Sequence, residues 1–133
     1  MAETFAFEFV SPERRLMAGE AVQVVVPGWE GEFAVLAGHA PVLSTMRPGI
    51  LSIVREEGAE PERYFVRGGF ADVTPTSLTV LAQQAIAEAD LDRDALAQAI
   101  RDSEEDIGDA GDDAARARAQ EALDHLREIE RAL

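Results

Sequence analysis

The stretch that decides the fold runs from Val22 to Leu51 and reads VQVVVPGWEGEFAVLAGHAPVLSTMRPGIL. Two apolar runs, Val22–Val26 and Phe33–Leu36, flank a turn that is rich in proline and glycine. Proline removes a backbone donor and glycine accepts a positive φ, so clusters of the two residues end strands. The stretch therefore predicts strand, turn, strand, loop, turn and strand, and its spacing contains no catalytic pattern.

The same pattern of short apolar runs separated by turn residues extends from this stretch in both directions, through residues 1–87. Phe5, Phe7 and Phe9 alternate with small or charged residues, which places three aromatic rings on one face of a strand. One strand is predicted from Glu20 to Val26, and further strands are predicted at 50–55, 63–67, 70–73 and 78–82. Turn signals recur roughly every eight to twelve residues, a pattern that predicts an antiparallel β-sandwich or flattened barrel.

Residues 88–133 have the composition of helices, because proline, threonine, valine and aromatic residues are absent from them. Asp90 is predicted to cap a first helix, and the glycine-rich and acidic segment 108–113 separates it from a second helix. The predicted stripes are Leu96, Ile100, Ser103 and Ile107 on the first helix, and Ala115, Ala119, Ala122, Leu126, Ile129 and Leu133 on the second. Residues 88–133 thus predict an antiparallel two-helix hairpin, appended to the sandwich.

The composition excludes several classes of function. The chain carries 26 acidic and 12 basic side chains, a net charge of −14 that repels nucleic-acid phosphates and anionic lipids. Lysine and cysteine are absent, which excludes a lysine Schiff base, a thiol nucleophile, a disulfide framework and a thiolate metal site. No run approaches the ~20 apolar residues of a membrane span, so we expect a soluble protein without direct membrane insertion.

Three local patterns imitate chemical sites, but none meets the full requirement. His39 and His125 lie far apart in the sequence, which argues against a shared metal site. Residues 90–94 open like a calcium loop, but Ala95 stands where the turn glycine belongs and Arg101 where a bidentate glutamate belongs. The turn at 27–32 carries two carboxylates and lacks the lysine of a phosphate loop. We predict no catalytic and no metal-binding residue.

Two residues of the stretch from Val22 to Leu51, which we call the organising stretch, allow alternative interpretations. Trp29 sits in a turn, where its ring either forms an exposed protein contact or folds back over the edge of the sandwich. His39 lies in a loop, where spacing alone favours an ordinary polar residue, since no partner for a general base is visible.

The residues of the organising stretch form a longer series: Pro27, Gly28, Gly31, Glu32, Gly38, His39, Ala40, Pro41, Leu43, Pro48 and Gly49. Segments 10–13, 68–73 and 78–82 continue it. In this order the series resembles the epsilon subunit of the bacterial rotary ATP synthase, although Asp72 stands where that family more often has glutamate. The resemblance covers about residues 3 to 87 well, and the hairpin only in architecture.

The resemblance implies a non-catalytic rotor subunit of the central stalk, which couples rotation of the gamma subunit to the membrane c-ring. It implies a peripheral location on the cytoplasmic face of the bacterial plasma (inner) membrane. The positions that match the family's gamma contacts are Ser11, His39 and Ser44, and those that match its c-ring contact are Trp29, Glu30, Gly31 and Glu32. His39 then becomes an interface residue.

The resemblance also implies that the hairpin reaches the alpha and beta subunits and regulates ATP hydrolysis. Some members bind ATP through an (I/L)-D-x-x-R-A motif, of which Leu91 and Asp92 match, while Ala95 and Leu96 replace the arginine and the alanine. We therefore expect no cofactor and weak or no ATP binding. The second helix is net negative, so we expect feeble inhibition.

Two rival functions remain open at this point. A free-standing adaptor could use the sandwich and the hairpin to bind other proteins. A small-molecule enzyme or ligand-binding β-barrel would need convergent polar residues in a pocket, and the sequence shows no such cluster.

Overall fold

The computed structural model describes residues 3–90 and 93–132. These residues form two compact units that divide between Glu88 and Ala89. The sequence predicts the boundary one residue earlier. The first unit is built of strands and the second of helices.

The first unit contains ten strands among the described residues. They are β1 (Phe5–Val10), β2 (Arg15–Ala21), β3 (Gln23–Gly28), β4 (Gly31–Val35), β5 (Val42–Thr45), β6 (Gly49–Val54), β7 (Glu62–Arg67), β8 (Phe70–Val73), β9 (Ser77–Leu81) and β10 (Gln84–Ala87). One sheet has the order β2-β1-β9-β8-β5 and the other has the order β10-β7-β6-β3-β4. The predicted β-sandwich is confirmed.

One strand pair departs from the expected antiparallel pattern. β1 and β9 run parallel, with Phe7 opposite Leu78 and Phe9 opposite Val80. The other pairs of both sheets are antiparallel. Because most of the sandwich separates β1 from β9 in the sequence, no hairpin turn dictates their relative direction.

The core lies between the two sheets and follows the predicted alternation. Phe5, Phe7 and Phe9 are buried, as the period of two in β1 predicts. The ring of Phe9 contacts that of Tyr64 on β7 edge to face, with centroids 5.2 Å apart. Rings from both sheets therefore meet in the core, and this geometry stabilises an aromatic pair beyond its burial.

The sequence prediction missed β5, β10, the first five residues of β2 and one break. β5 and β10 were not predicted, and both are four-residue strands at sheet edges. The run from Glu20 to Val26 was predicted as one strand, but it breaks at Val22, whose nitrogen donates to the carbonyl of Val54. At this break the chain leaves one sheet for the other, which an unbroken apolar run does not reveal.

The second unit is the predicted helical hairpin. A short 3-10 turn (Glu88–Asp90) precedes α1 (Arg93–Asp109), and α2 (Asp113–Ala132) packs against α1. Asp90 was predicted as a helix cap but lies in the 3-10 turn, and residues 91 and 92 are outside the described part of the chain. Asp112 is the observed cap of α2, because its Oδ1 accepts a 2.7 Å hydrogen bond from the nitrogen of Ala115.

The predicted helix stripes are correct in part. Leu96 and Ser103 are buried on α1, as expected, and so is Ala99, which was not predicted. On α2 Leu126 and Ile129 are buried as predicted and Leu123 joins them. Ala115 was predicted in the stripe but is exposed, because the stripe covers only the later turns of α2, and Leu133 lies outside the described residues. No helix in the described ranges is long and apolar enough to span a membrane.

Candidate functional site

An open groove lies at the edge of the sandwich, where β4 ends one sheet and β5 ends the other. Its volume is about 550 Å³. The lining residues are Trp29, Glu30, Gly31, Glu32, Phe33, His39, Ala40, Pro41, Val42, Leu43, Ser44 and Thr45. The groove therefore gathers the turn between β3 and β4, the loop before β5, and β5 itself.

The turn between β3 and β4 is tight because two glycines flank it. Gly28 and Gly31 pair across the hairpin, which leaves Trp29 and Glu30 as a two-residue turn. Gly31 has a φ of 134°, a conformation that favours glycine. A Cβ on Gly28 would lie 2.8 Å from the carbonyl oxygen of Gly31, so a side chain there would force the hairpin apart.

Trp29 is held against the molecule without being buried. Its nitrogen donates to the carbonyl of Thr45 at 3.1 Å, and its ring centroid lies 6.0 Å from the guanidinium carbon of Arg47. The side chain is half-buried, whereas Glu30 and Glu32 are exposed. The turn thus presents two carboxylates beside an aromatic ring that is fixed in place but still accessible.

His39 occupies the opposite wall of the groove. Backbone bonds from Gly38 to Pro75 (2.8 Å) and from His39 to Leu36 (3.1 Å) hold its loop. The Nδ1 of His39 lies 2.7 Å from the carbonyl oxygen of Ala40, the distance of a hydrogen bond in which Nδ1 is the donor. Its half-buried ring lies 6.1 Å from that of Phe33, so the side chain is fixed by two neighbours.

The strand β5 supplies the apolar surface of the groove. Val42 is 40% exposed and Leu43 is 69% exposed. Ser44 is half-buried, and its hydroxyl donates to the carbonyl of Thr45 at 3.0 Å. An edge strand that exposes apolar side chains is a surface suited to a protein partner.

Ser11 lies apart from the other predicted partner residues. It belongs to the turn between β1 and β2, where its nitrogen donates to Arg14 at 2.9 Å. Strands β9 and β8 separate this turn from β5, a distance of about 14 Å at the usual strand spacing. The groove thus brings together six of the seven predicted partner residues, but not Ser11.

Sequence reasoning missed Arg47, which does not line the groove but supports its turn from outside. Its side chain donates from Nε to the carbonyl of Gly28 at 3.1 Å and from Nη2 to the carbonyl of Trp29. The position of an arginine before a Pro-Gly turn was visible in the sequence, but the carbonyls that it meets lie 18 and 19 residues away.

The patterns for metal and nucleotide binding gain no support from the geometry. Within the described ranges no group of three or more His, Cys, Asp or Glu side chains is arranged to hold a metal ion. His39 belongs to the first unit and His125 to the second. Leu91 and Asp92 of the compared ATP motif are outside the described residues, and Ala95 is a half-buried residue of α1.

Comparisons with known proteins identify close relatives over the whole chain. Residues 4–88 match the family "ATP synthase, Delta/Epsilon chain, beta-sandwich domain". An ATP synthase epsilon chain of Parvibaculum lavamentivorans is 53% identical over 129 residues, which is 97% of each chain. One of Mesorhizobium japonicum is 48% identical over 133 residues, or 100% of this chain and 98% of the relative.

Solved structures share the fold at lower identity. A chain of the Euglena gracilis mitochondrial ATP synthase, solved as OSCP/F1/c-ring, superimposes with a TM-score of 0.73 at 24% identity, covering 97% of this chain and 81% of the other. A chain of the Tetrahymena thermophila mitochondrial ATP synthase central stalk and c-ring gives 0.67 at 12% identity, covering 96% and 97%. These similarities support the two-part architecture.

Proposed function

The chain belongs to the ATP synthase epsilon chain family, and on that premise we propose that it is a non-catalytic rotor subunit that couples gamma to the c-ring. The observation that carries this proposal is the groove. It joins three separate segments, each of which contains at least one residue to which the resemblance assigned a partner contact. Its half-buried aromatic and exposed aliphatic side chains have the composition of a protein interface.

The two partners would meet different parts of the first unit. The c-ring would contact the turn residues Trp29, Glu30, Gly31 and Glu32. Gamma would contact His39 and Ser44 in the groove, and Ser11 beyond it. A row of paired residues crosses the outer face of the sheet from β5 to the turn of Ser11, and it consists of Thr45, Phe70, Leu81 and Val10. This row would connect Ser11 with the β5 end of one broad gamma surface, while Ser44 faces the other side of β5.

The exposed apolar side chain of that row is Phe70, whereas Leu81 and Val10 are half-buried. Phe70 is 38% exposed and pairs with Thr45, next to the exposed Leu43. A stable subunit contact typically buries roughly 800 Å² per partner, so the row and the groove would both have to contribute to the gamma surface.

The hairpin would act weakly as a regulator. Residues 88–133 carry 15 acidic and 6 basic side chains. In α2 the cations lie among carboxylates, and Arg116 is paired with Asp113 at 3.0 Å. A net-negative helix is steered poorly toward an acidic surface of the alpha and beta subunits, so inhibition of ATP hydrolysis would be feeble.

The subunit would lie on the cytoplasmic face of the bacterial plasma membrane without entering it. The two relatives at about 50% identity are bacterial, and a net charge of −14 does not favour adsorption to anionic lipid. Attachment would then depend on protein contacts at the groove.

Gel filtration with a gamma-containing catalytic head tests the gamma contact. We expect the wild-type chain to elute with the head, and Leu43→Glu to bind at least about tenfold more weakly, because a charge enters an apolar contact. Leu36→Glu is the matched control, since Leu36 is 53% exposed but does not line the groove.

Each outcome of this experiment is informative. Equal binding by Leu43→Glu and the wild type would remove β5 from the gamma surface. Failure of the wild-type chain to bind a well-matched head would favour a free-standing adaptor that uses the sandwich and the hairpin for other proteins.

A further inference from the structure

We propose that Arg47, which lies between β5 and β6, is a positioning residue that fixes the turn Trp29–Glu30 to the segment at the end of β5, so that force on the turn reaches the other sheet. The inference rests on the proposed function of the turn. It assigns a role to a side chain that lies outside the lining of the groove.

Three hydrogen bonds from Arg47 define what we call the Arg47 clamp. Its nitrogen donates to the carbonyl of Pro27 at 2.9 Å. Its Nε and Nη2 donate to the carbonyls of Gly28 and Trp29. A planar guanidinium can hold two neighbouring carbonyls at once, which an ammonium group cannot do with the same geometry.

The side chain of Arg47 makes contacts that the backbone does not make. The backbone already joins the two segments, through the bridge between Gly28 and Met46 and the bond from Trp29 to Thr45. The carbonyl of Trp29, by contrast, belongs to a turn residue and has no place in the ladder of β3 and β4. Arg47 therefore adds a second contact at Trp29, to a carbonyl that lies outside the ladder.

The clamp also fixes the ring of Trp29. The guanidinium carbon lies 6.0 Å from the ring centroid, at the outer limit of a cation–π contact. Arg47 is half-buried, so water competes less with these contacts than at an exposed site. The same side chain thus restrains both the backbone and the aromatic ring of the turn.

The clamp joins the two predicted partner surfaces by a short route. The turn belongs to the sheet that contains β3 and β4, whereas Ser44 lies on β5 of the other sheet. Without the side chain of Arg47, the bridge between Gly28 and Met46 and the bond from Trp29 to Thr45 would have to hold the turn under load. A contact that is loose by about 1 Å is enough to impair a site that depends on positioning.

The chain contains one tryptophan, so its fluorescence reports on this turn alone. In the full-length protein we expect Arg47→Gln to raise acrylamide quenching of Trp29 about twofold, because the turn opens locally. The quenching of Trp29 in Arg47→Lys should lie between that of the wild type and that of Arg47→Gln. The matched control is Arg55→Gln, which removes one exposed ion pair with Glu62 and should leave quenching unchanged.

The second measurement uses membrane vesicles that contain the assembled ATP synthase. Arg47→Gln should lower proton pumping per ATP hydrolysed by about twofold or more, while gamma binding and the midpoint of thermal unfolding stay near the wild-type values. A merely structural role would instead lower the unfolding midpoint and gamma binding together, and that result would overturn the inference.

The remaining outcomes separate this inference from the proposed function. Unchanged quenching in Arg47→Gln would overturn the clamp, whatever the turn binds. A loosened turn with normal pumping would overturn the role of Arg47 in coupling. Trp29→Ala in the same vesicles then tests whether the turn contacts the c-ring. If Trp29→Ala also pumps normally, the proposed c-ring contact fails as well; if it is impaired, only the role of Arg47 fails.

Discussion

Gly69 and Leu81 approach each other so closely that no side chain fits at residue 69. A Cβ built on Gly69 would lie 1.8 Å from the carbonyl oxygen of Leu81, and Gly69 has a φ of 95°. Residue 69 precedes β8, which pairs with β9 on one side and with β5 on the other. The placement of β5, and with it one wall of the groove, depends on this contact.

Gly69→Ala should therefore destabilise the first unit strongly. The substitution combines a positive φ with a backbone clash, and we expect a loss of at least ~3 kcal/mol in the free energy of unfolding. Urea denaturation measures it. Gly58→Ala is the matched control, because Gly58 has a φ of 81° with open space around it and should lose only ~1 kcal/mol. Similar losses for both variants would contradict the role of the close contact.

Asp112→Ala should destabilise the hairpin. Its Oδ1 accepts the bond from the nitrogen of Ala115, and loss of such a cap costs about 1 kcal/mol. Asp109→Ala is the control, since Asp109 ends α1, where a negative charge is unfavourable, and its removal should stabilise by a few tenths of a kcal/mol. Thermal unfolding followed by circular dichroism distinguishes the two signs. Equal effects would mean that the cap contributes nothing specific.

The sequence predicts strands well where side chains alternate and poorly where tertiary pairing decides. The phenylalanines of β1 show a clear period of two, and all three are buried. β5 and β10 are short edge strands whose existence depends on β8 and β7. The parallel pairing of β1 with β9 depends on contacts between distant segments, and no local pattern encodes it.

The candidate site was predictable only in part, because distant segments meet to form it. The turn at residues 29–32 is readable from its glycines, and the resemblance assigned partner contacts to it. The groove itself forms only when β4 and β5 come together at the edges of two sheets. Arg47 could not be found from spacing, because its partners are carbonyl groups, which any residue could supply.

ATP should bind this chain weakly or not at all. Ala95 stands at the position of the arginine in the compared motif, so the cation that would meet a phosphate is missing. Isothermal titration of the full chain with Mg-ATP should show no saturable binding in the micromolar range. Ala95→Arg should increase the affinity, and Gln98→Arg, one turn further along α1, serves as a control for added charge. Micromolar affinity of the wild-type chain would defeat the prediction.

Removal of residues 88–133 should change the ATPase rate of the assembled complex by less than about twofold, because α2 is net negative and does not favour an acidic partner. Gamma binding by residues 1–87 must be confirmed first, so that dissociation of the truncated subunit is not mistaken for loss of inhibition by the hairpin. The double variant Glu121→Arg with Glu130→Arg tests the charge argument, because it makes α2 net positive and should create inhibition. A large rise in activity on deletion would show that the hairpin inhibits through contacts other than charge.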